Sequence, residues 1–179
     1  MQDSLTTDPT LNQRRRPSFE ETELERRATK FNFGAPVTGS VTIGDTIAVG
    51  FGDGNVRIFR EGVGYSTTKA HAGVVLCMAT DGEHIFTGSD DGKFLKISNE
   101  NTVQEIASFG TKWVDCVAAI DDKFACSSGS KAHVWSEGQK EPTILEHSST
   151  VGGLAFDAKG KRLAVAHYGG VTIWEAKER

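Results

Sequence analysis

The residues of this 179-residue chain with chemistry to offer are five histidines, three cysteines and two acidic pairs. A zinc centre needs three or four converging ligands. The chain has no His-x-His, no His-Glu-x-x-His and no Cys-x-x-Cys, so no metal or other cofactor is expected. Cys77 and Cys116 stand among Val, Leu and Ala in strand-like runs, where a thiol acts as a small apolar group rather than a nucleophile. Cys126 makes the count odd, and the three read as reduced thiols of a cytoplasmic protein. Asp90-Asp91 and Asp121-Asp122 fall between strand-like runs as solvated turn residues, with nothing beside them to split their pKa values for acid–base work. Gly50-Phe51-Gly52-Asp53-Gly54 has the look of a phosphate loop, but it leads into a strand, so the helix N-terminus that chemistry uses is missing. No nucleophile, base and orienter can be assembled, and no intrinsic hydrolase or transferase activity is expected. Asp115 is the one polar group that stands out among the inner strands.

Two of the histidines do keep a beat. Phe33, His71, Phe109 and His147 are each 38 residues apart, and Phe59, Ile97, Trp135 and Trp174 follow at 38, 38 and 39. His84, His133 and His167 keep no phase and read as surface residues. A repeat near 40 residues built of short strands predicts an all-β propeller, one small antiparallel sheet per copy. The four copies span about 31–69, 70–107, 108–145 and 146–179. Their inner three strands are expected at 37–43, 46–51 and 56–59; 74–79, 84–88 and 94–97; 113–119, 123–127 and 132–135; and 151–156, 162–166 and 171–174. Asp/Gly turns such as Gly52-Asp53-Gly54 and Asp90-Asp91-Gly92 supply the positive φ of tight hairpins. More polar outer strands follow at 64–69, 103–108 and 142–146, whereas the fourth copy has too few residues after Trp174 for one.

Residues 1–17 are polar and carry Arg14-Arg15-Arg16. They read as a disordered, solvated arm rather than an acidic-partner contact. Ser18 and Glu21 have capping-box spacing, which predicts a short helix over about 19–29 within a linker, 18–30. The chain is 37% hydrophobic and 25% charged, enough for a folded core. A net charge of −4 gives no nucleic-acid footprint, and no apolar run approaches the roughly 20 residues of a membrane span.

Ala70-His71-Ala72-Gly73, Glu146-His147-Ser148, Ser89-Asp90-Asp91-Gly92, Val134-Trp135 and Ile173-Trp174 together resemble the WD-repeat family. The resemblance covers about residues 33–179 and is that of a divergent member, closer to bacterial than to regular eukaryotic examples. It implies a blade-locking set of His, turn Asp, strand Ser/Thr and terminal Trp. Copy two has His71, Asp91 and Thr87 or Ser89 but Ile97 at the Trp place, and copy four has His147 and Trp174 but Tyr168 at the Asp place. Trp135 and Trp174 are expected to pack between blades as structural repeat positions. The resemblance also implies a non-enzymatic scaffold that binds a protein or peptide on the face of strand-one loops and strand-two turns. Candidates there are Trp113, Tyr168, Asp53 and Asp91, with partial burial of the two aromatics as the other reading. Rival readings are a piece of a longer propeller and, less in keeping with the small apolar inner strands, a propeller enzyme. Four blades at seven-bladed curvature make an open arc with apolar ends. Downstream blades, closure of two copies into an eight-bladed ring, or a tightened four-bladed ring would relieve it, in that order of expectation, and self-association is expected of the chain alone.

Overall fold

The computed structural model describes residues 20–176 and divides the chain into two compact units, Met1–Phe33 and Gly34–Arg179. The arm predicted at 1–17 and the cap predicted at Ser18 lie outside the described residues. In the first unit the helix is shorter than expected: α1 is Glu23–Arg27. Its cap is Thr22, whose hydroxyl accepts from the Glu25 amide at 3.2 Å while the Glu25 carboxylate accepts from the Thr22 amide at 2.8 Å. Thr22-x-x-Glu25 is thus the capping box in use. No residue of α1 is buried, and a helix that buries no face gains little by growing.

The second unit is four antiparallel sheets, each a simple meander. The first blade is β1 (Val37–Ile43), β2 (Thr46–Phe51), β3 (Asn55–Arg60) and β4 (Gly64–Lys69). The second is β5 (Val75–Thr80), β6 (His84–Ser89), β7 (Lys93–Ser98) and β8 (Val103–Ser108). The third is β9 (Val117–Ile120), β10 (Lys123–Ser128), β11 (Lys131–Ser136) and β12 (Thr143–Glu146). The fourth has three strands among the described residues: β13 (Val151–Phe156), β14 (Arg162–His167) and β15 (Gly170–Glu175). This is an all-β propeller architecture. The predicted strands lie close to these bounds except β9, which starts at Val117 rather than 113. There Val114 takes the buried place before the strand and Trp113 is turned out.

Side chains alternate between two faces of each sheet, and successive blades pack face to back. The leading face of one blade carries the residues paired across strands two and three as Ile47 with Phe59, Ile85 with Ile97, Phe124 with Trp135, and Leu163 with Trp174. The trailing face carries the neighbouring pairs, Ala48 with Ile58, Phe86 with Lys96, Ala125 with Val134, and Ala164 with Ile173. Three clusters fill the junctions. Ala48, Val56 and Ile58 meet Val75, Ile85 and Ile97; Phe86 and Phe94 meet Phe124, Cys126 and Trp135; Ala125 and Ala132 meet Val151, Leu163 and Val165. Burying several Val, Leu, Ile and Phe side chains at each junction, each worth about 1.5–3 kcal/mol, is what holds one sheet to the next.

The two tryptophans at one repeat position fare differently. Trp135 is 2% exposed and stacks on Phe124, centroids 6.0 Å apart. Trp174 is 36% exposed, which corrects the expectation that it is enclosed between blades. The physical reason is its strand: β15 has no neighbour on its outer side among the described residues, whereas β11 is flanked by β12.

Candidate interaction face

One end of every sheet gathers the loop entering the first strand and the turn joining the second to the third. In blade two this end is tied by a polar set of His71, Asp91 and Thr87, with Ile97 in place of the terminal Trp. The buried His71 ring places Nδ1 3.1 Å from Asp91 Oδ1 and Nε2 2.9 Å from the Thr87 hydroxyl. A carboxylate only accepts, so Nδ1–H donates to Asp91, and the neutral ring accepts from Thr87 at Nε2. Asp91 also accepts from the amides of Ala72 and Lys93, both at 3.0 Å, and Asp90 accepts from the Val74 amide at 2.7 Å. Burial holds the His71 pKa below its ordinary value against the pull of Asp91. Burial pushes Asp91 up, but the Lys93 and Ala72 amides and His71 outweigh it and leave Asp91 below the usual carboxylate range. The Asp91 carboxylate is therefore turned toward the entering loop at His71 and Ala72 and toward its own turn at Lys93.

Gly92 and Gly54 seat these loops. Both have positive φ, +79° and +78°. Their carbonyls accept from the chain entering the next blade: Gly92 from Phe109 at 2.8 Å, and Gly54 from Ala70 and His71 at 3.2 and 3.0 Å. A side chain at either would meet backbone oxygens of that entering loop, so glycine is required both for the turn and for the approach.

The other blades solve the same corner differently. In blade one, Asp53 pairs with Arg57 at 2.8 Å and accepts from the Asn55 amide at 3.0 Å. The Arg57 guanidinium holds the Asp53 carboxyl far below the usual range and lies 4.2 Å from the Phe51 ring centre. In blade three, Phe109 stands at the His71 phase and packs on His133, centroids 4.6 Å apart. His133 is thus buried rather than at the surface as expected, because it fills the inward position of β11 beneath that ring. Its pKa is lowered by burial and then by Lys131. Asp115 accepts from the Ser127 hydroxyl at 2.9 Å.

In blade four, Trp174 Nε1 donates directly to His147 Nε2 at 3.1 Å. His147 Nδ1 then carries the ring proton, and that buried nitrogen has no acceptor, because the turn presents Tyr168 where blade two presents its aspartates. Ser149 ties this corner instead, donating to the Tyr168 carbonyl at 2.8 Å. His167 is half-buried beside Ser149 and Thr172, and His84 lies at the opposite end of blade two, 3.1 Å from Asp81.

Two aromatic side chains remain outward at this end: Trp113 at 60% exposure and Tyr168 at 89%. The Cys77 thiol donates to the Val114 carbonyl at 3.4 Å and the Cys116 thiol to the Val151 carbonyl at 3.9 Å. These contacts place the starts of the first strands of blades two, three and four side by side. Trp113 and Tyr168 therefore stand on one edge of consecutive blades. Asp53, in contrast, is engaged by Asn55 and Arg57 beside it, and Asp91 by His71, Ala72 and Lys93. Sequence reasoning missed Arg57 as a buried cation over Phe51; Asp53 four residues before it and Phe51 six before it were the available signal.

No group of three or more His, Cys, Asp or Glu that could hold a metal ion occurs among the described residues. Burial pushes the thiols of Cys77, Cys116 and Cys126 up, away from the thiolate a nucleophile needs. A cleft of about 230 Å³ between blades three and four is lined by Val134, Trp135, Leu145, Phe156 and Trp174 and is open to solvent. No helix among the described residues is long and apolar enough to cross a membrane.

The corner of blade two lies in the stretch that the WD40 family model, described as WD domain, G-beta repeat, matches: residues 63–95. That stretch is similar to a WD40 repeat, and the four sheets are blades of the propeller fold. Among solved structures, the crystal structure of the computationally designed Ika4 protein superposes with a TM-score of 0.68 at 17% identity, over 82% of this chain and 94% of that one. At that identity the likeness is one of fold. No curated protein matches the sequence.

Proposed function

We propose that the chain is a non-enzymatic scaffold whose corner-loop end takes up a protein or peptide segment. The observation that carries this reading is the outward placing of Trp113 and Tyr168 on one edge of blades three and four. Large, stiff aromatics on a framework fixed by the strands make good anchors, since little side-chain entropy is lost when they are covered. WD-type blades commonly serve as scaffolds, which supports this reading.

The test is selection of binders from a displayed library of random dodecapeptides against the full chain, followed by titration of the selected peptides. Trp113→Ala and Tyr168→Ala are each expected to weaken binding by about 30-fold, the equivalent of a 2 kcal/mol hot spot. Val63→Ala, in the β3–β4 turn at the opposite end of blade one, is expected to change nothing. Peptides that bind both aromatic variants as well as the parent would overturn the assignment of this face.

A further inference from the structure

The outer parts of successive blades leave a groove between them, and two of these grooves are filled differently. Between blades two and three the filler is Lys96, on the trailing face of blade two between Phe86 and Gln104. Its side chain is only 11% exposed, with the ammonium 5.9 Å from the Phe86 ring centre, 5.8 Å from that of Phe124 and 2.8 Å from the Glu137 carboxylate. Between blades three and four, one repeat later, Val134 stands at the Lys96 position and Ala176 at the Glu137 position. Both are cut short, so the long stem and the ion pair of the earlier groove have no counterpart. What is left is the cleft of about 230 Å³.

Its walls are apolar. Phe156, Leu163 and Trp174 form one cross-strand row on the leading face of blade four, and Val134 and Leu145 face them from blade three. Phe156 takes the place of Ala119 in blade three and extends the wall by a ring. The mouth is cationic. Lys123, Lys161 and Arg162 line it against the single carboxylate of Glu175. Lys123 reaches over from blade three, its Nζ 3.6 Å from where a Cβ on Gly160 would stand. Asp122 beside Lys123 and Asp157 beside Arg162, at 3.2 and 3.3 Å, offset part of this charge, and Asp157 also accepts from the Lys161 and Arg162 amides. The corresponding mouth between blades two and three is lined by Asp81, Glu83, Asp121 and Asp122 instead. The groove left unfilled is thus also the one whose mouth has turned from acidic to basic.

A concave apolar slot with a few convergent polar groups at its rim is the usual form of a small-molecule site. We propose that this cleft binds a small aryl carboxylate, with the ring between Trp174, Phe156 and Val134 and the carboxylate toward Lys123, Lys161 and Arg162. The ring takes the space that the apolar stem of Lys96 covers at the earlier junction. The anion is selected because the cations stand at the edge of an apolar wall, where charge pairing is screened less than in bulk water, and a cationic head would meet like charge. The site lies at the β13–β14 turn, at the opposite end of the blades from Trp113 and Tyr168, and is independent of them.

The test is titration of the full chain with hydrocinnamate, followed by saturation-transfer NMR, beside hydrocinnamyl alcohol and protonated phenylpropylamine. The carboxylate is expected to bind in the millimolar range or tighter, as suits a ligand of this size, the alcohol at least about 10-fold more weakly, and the ammonium not measurably. Val134→Lys combined with Ala176→Glu rebuilds the filler of the earlier groove and is expected to abolish binding. Lys123→Glu combined with Lys161→Glu leaves the apolar walls intact; it is expected to weaken the carboxylate by at least about 10-fold and to leave the alcohol within about 2-fold of the parent. Circular dichroism shows which variants are folded. A parent that binds none of the three, a parent that binds the alcohol or the ammonium as tightly as the carboxylate, or a folded variant of either kind that binds hydrocinnamate as the parent does would overturn the proposal.

Discussion

Replacing Trp135 and Trp174 by alanine separates burial from repeat phase. Both residues end a third strand at the same position, and a strict reading of the period assigns them equal worth. A tryptophan covers about 150–250 Å². At about 25 cal/mol per Å² removed from water, complete burial stabilises by roughly 4–6 kcal/mol, an upper value because unfolded chains already bury some of it. Trp135 is enclosed by Phe94, Phe124 and their neighbours, so its removal leaves a cavity that the stacked rings cannot fill. The expected loss for Trp135→Ala is about 4–5 kcal/mol, the upper part of the range for large aromatics. Trp174 keeps 36% of its surface in water, and the space it vacates is already open to solvent. Only the transfer part, about two thirds of the full-burial value, and one exposed hydrogen bond to His147 are lost, so Trp174→Ala is expected to cost about 3 kcal/mol. Urea unfolding followed by far-ultraviolet circular dichroism measures both without relying on the fluorescence that the substitutions remove. Equal losses at the two positions would refute the reasoning, for they would mean that Trp174 is enclosed as fully as Trp135.

Two further substitutions probe the corner of blade two. Burial favours neutral His71 in the folded chain, so the unfolded chain takes up the proton first, near pH 6.5. Stability is therefore complete above that pH and falls as the pH drops below it; His71→Gln is expected to flatten the profile between about pH 7 and 5 while lowering its upper plateau by about 1–2 kcal/mol, read from urea midpoints across pH. Gly92→Ala is expected to cost at least about 2 kcal/mol, because φ is +79° and the new methyl would run into the Gly110 carbonyl oxygen; Gly62→Ala, at φ +68° with open space around it, should cost only about 1 kcal/mol, and equal midpoint shifts for the two would show that the loop yields.

The fold was legible because a repeat states the same instruction several times. A strand of six residues such as Lys93–Ser98 is ambiguous alone, but His71 and Ile97 recurring in step with His147 and Trp174, and Asp53 in step with Asp91, place strands, turns and faces together. What the period does not carry is the neighbour. A leading-face residue is buried by the blade before it and a trailing-face residue by the blade after it, so identical phases give unlike surroundings at the first and last copies. Ile47 and Ile85 share a phase, yet only Ile85 has a preceding blade to cover it. Ile58 and Ile173 share a phase, yet only Ile58 has a following one. His133 escaped notice for a related reason: its cover is Phe109, which replaces the histidine of the motif and so removes the polar partner that a motif search looks for. Trp113 and Val114 differ by a single residue of register at the start of β9, a shift that moves one side chain from core to surface and that composition does not record. The aromatic turned out by that shift is the same one that best qualifies as an anchor. The departure from the repeat and the candidate site therefore have one cause: the residue that the blade cannot bury is the residue left to meet a partner.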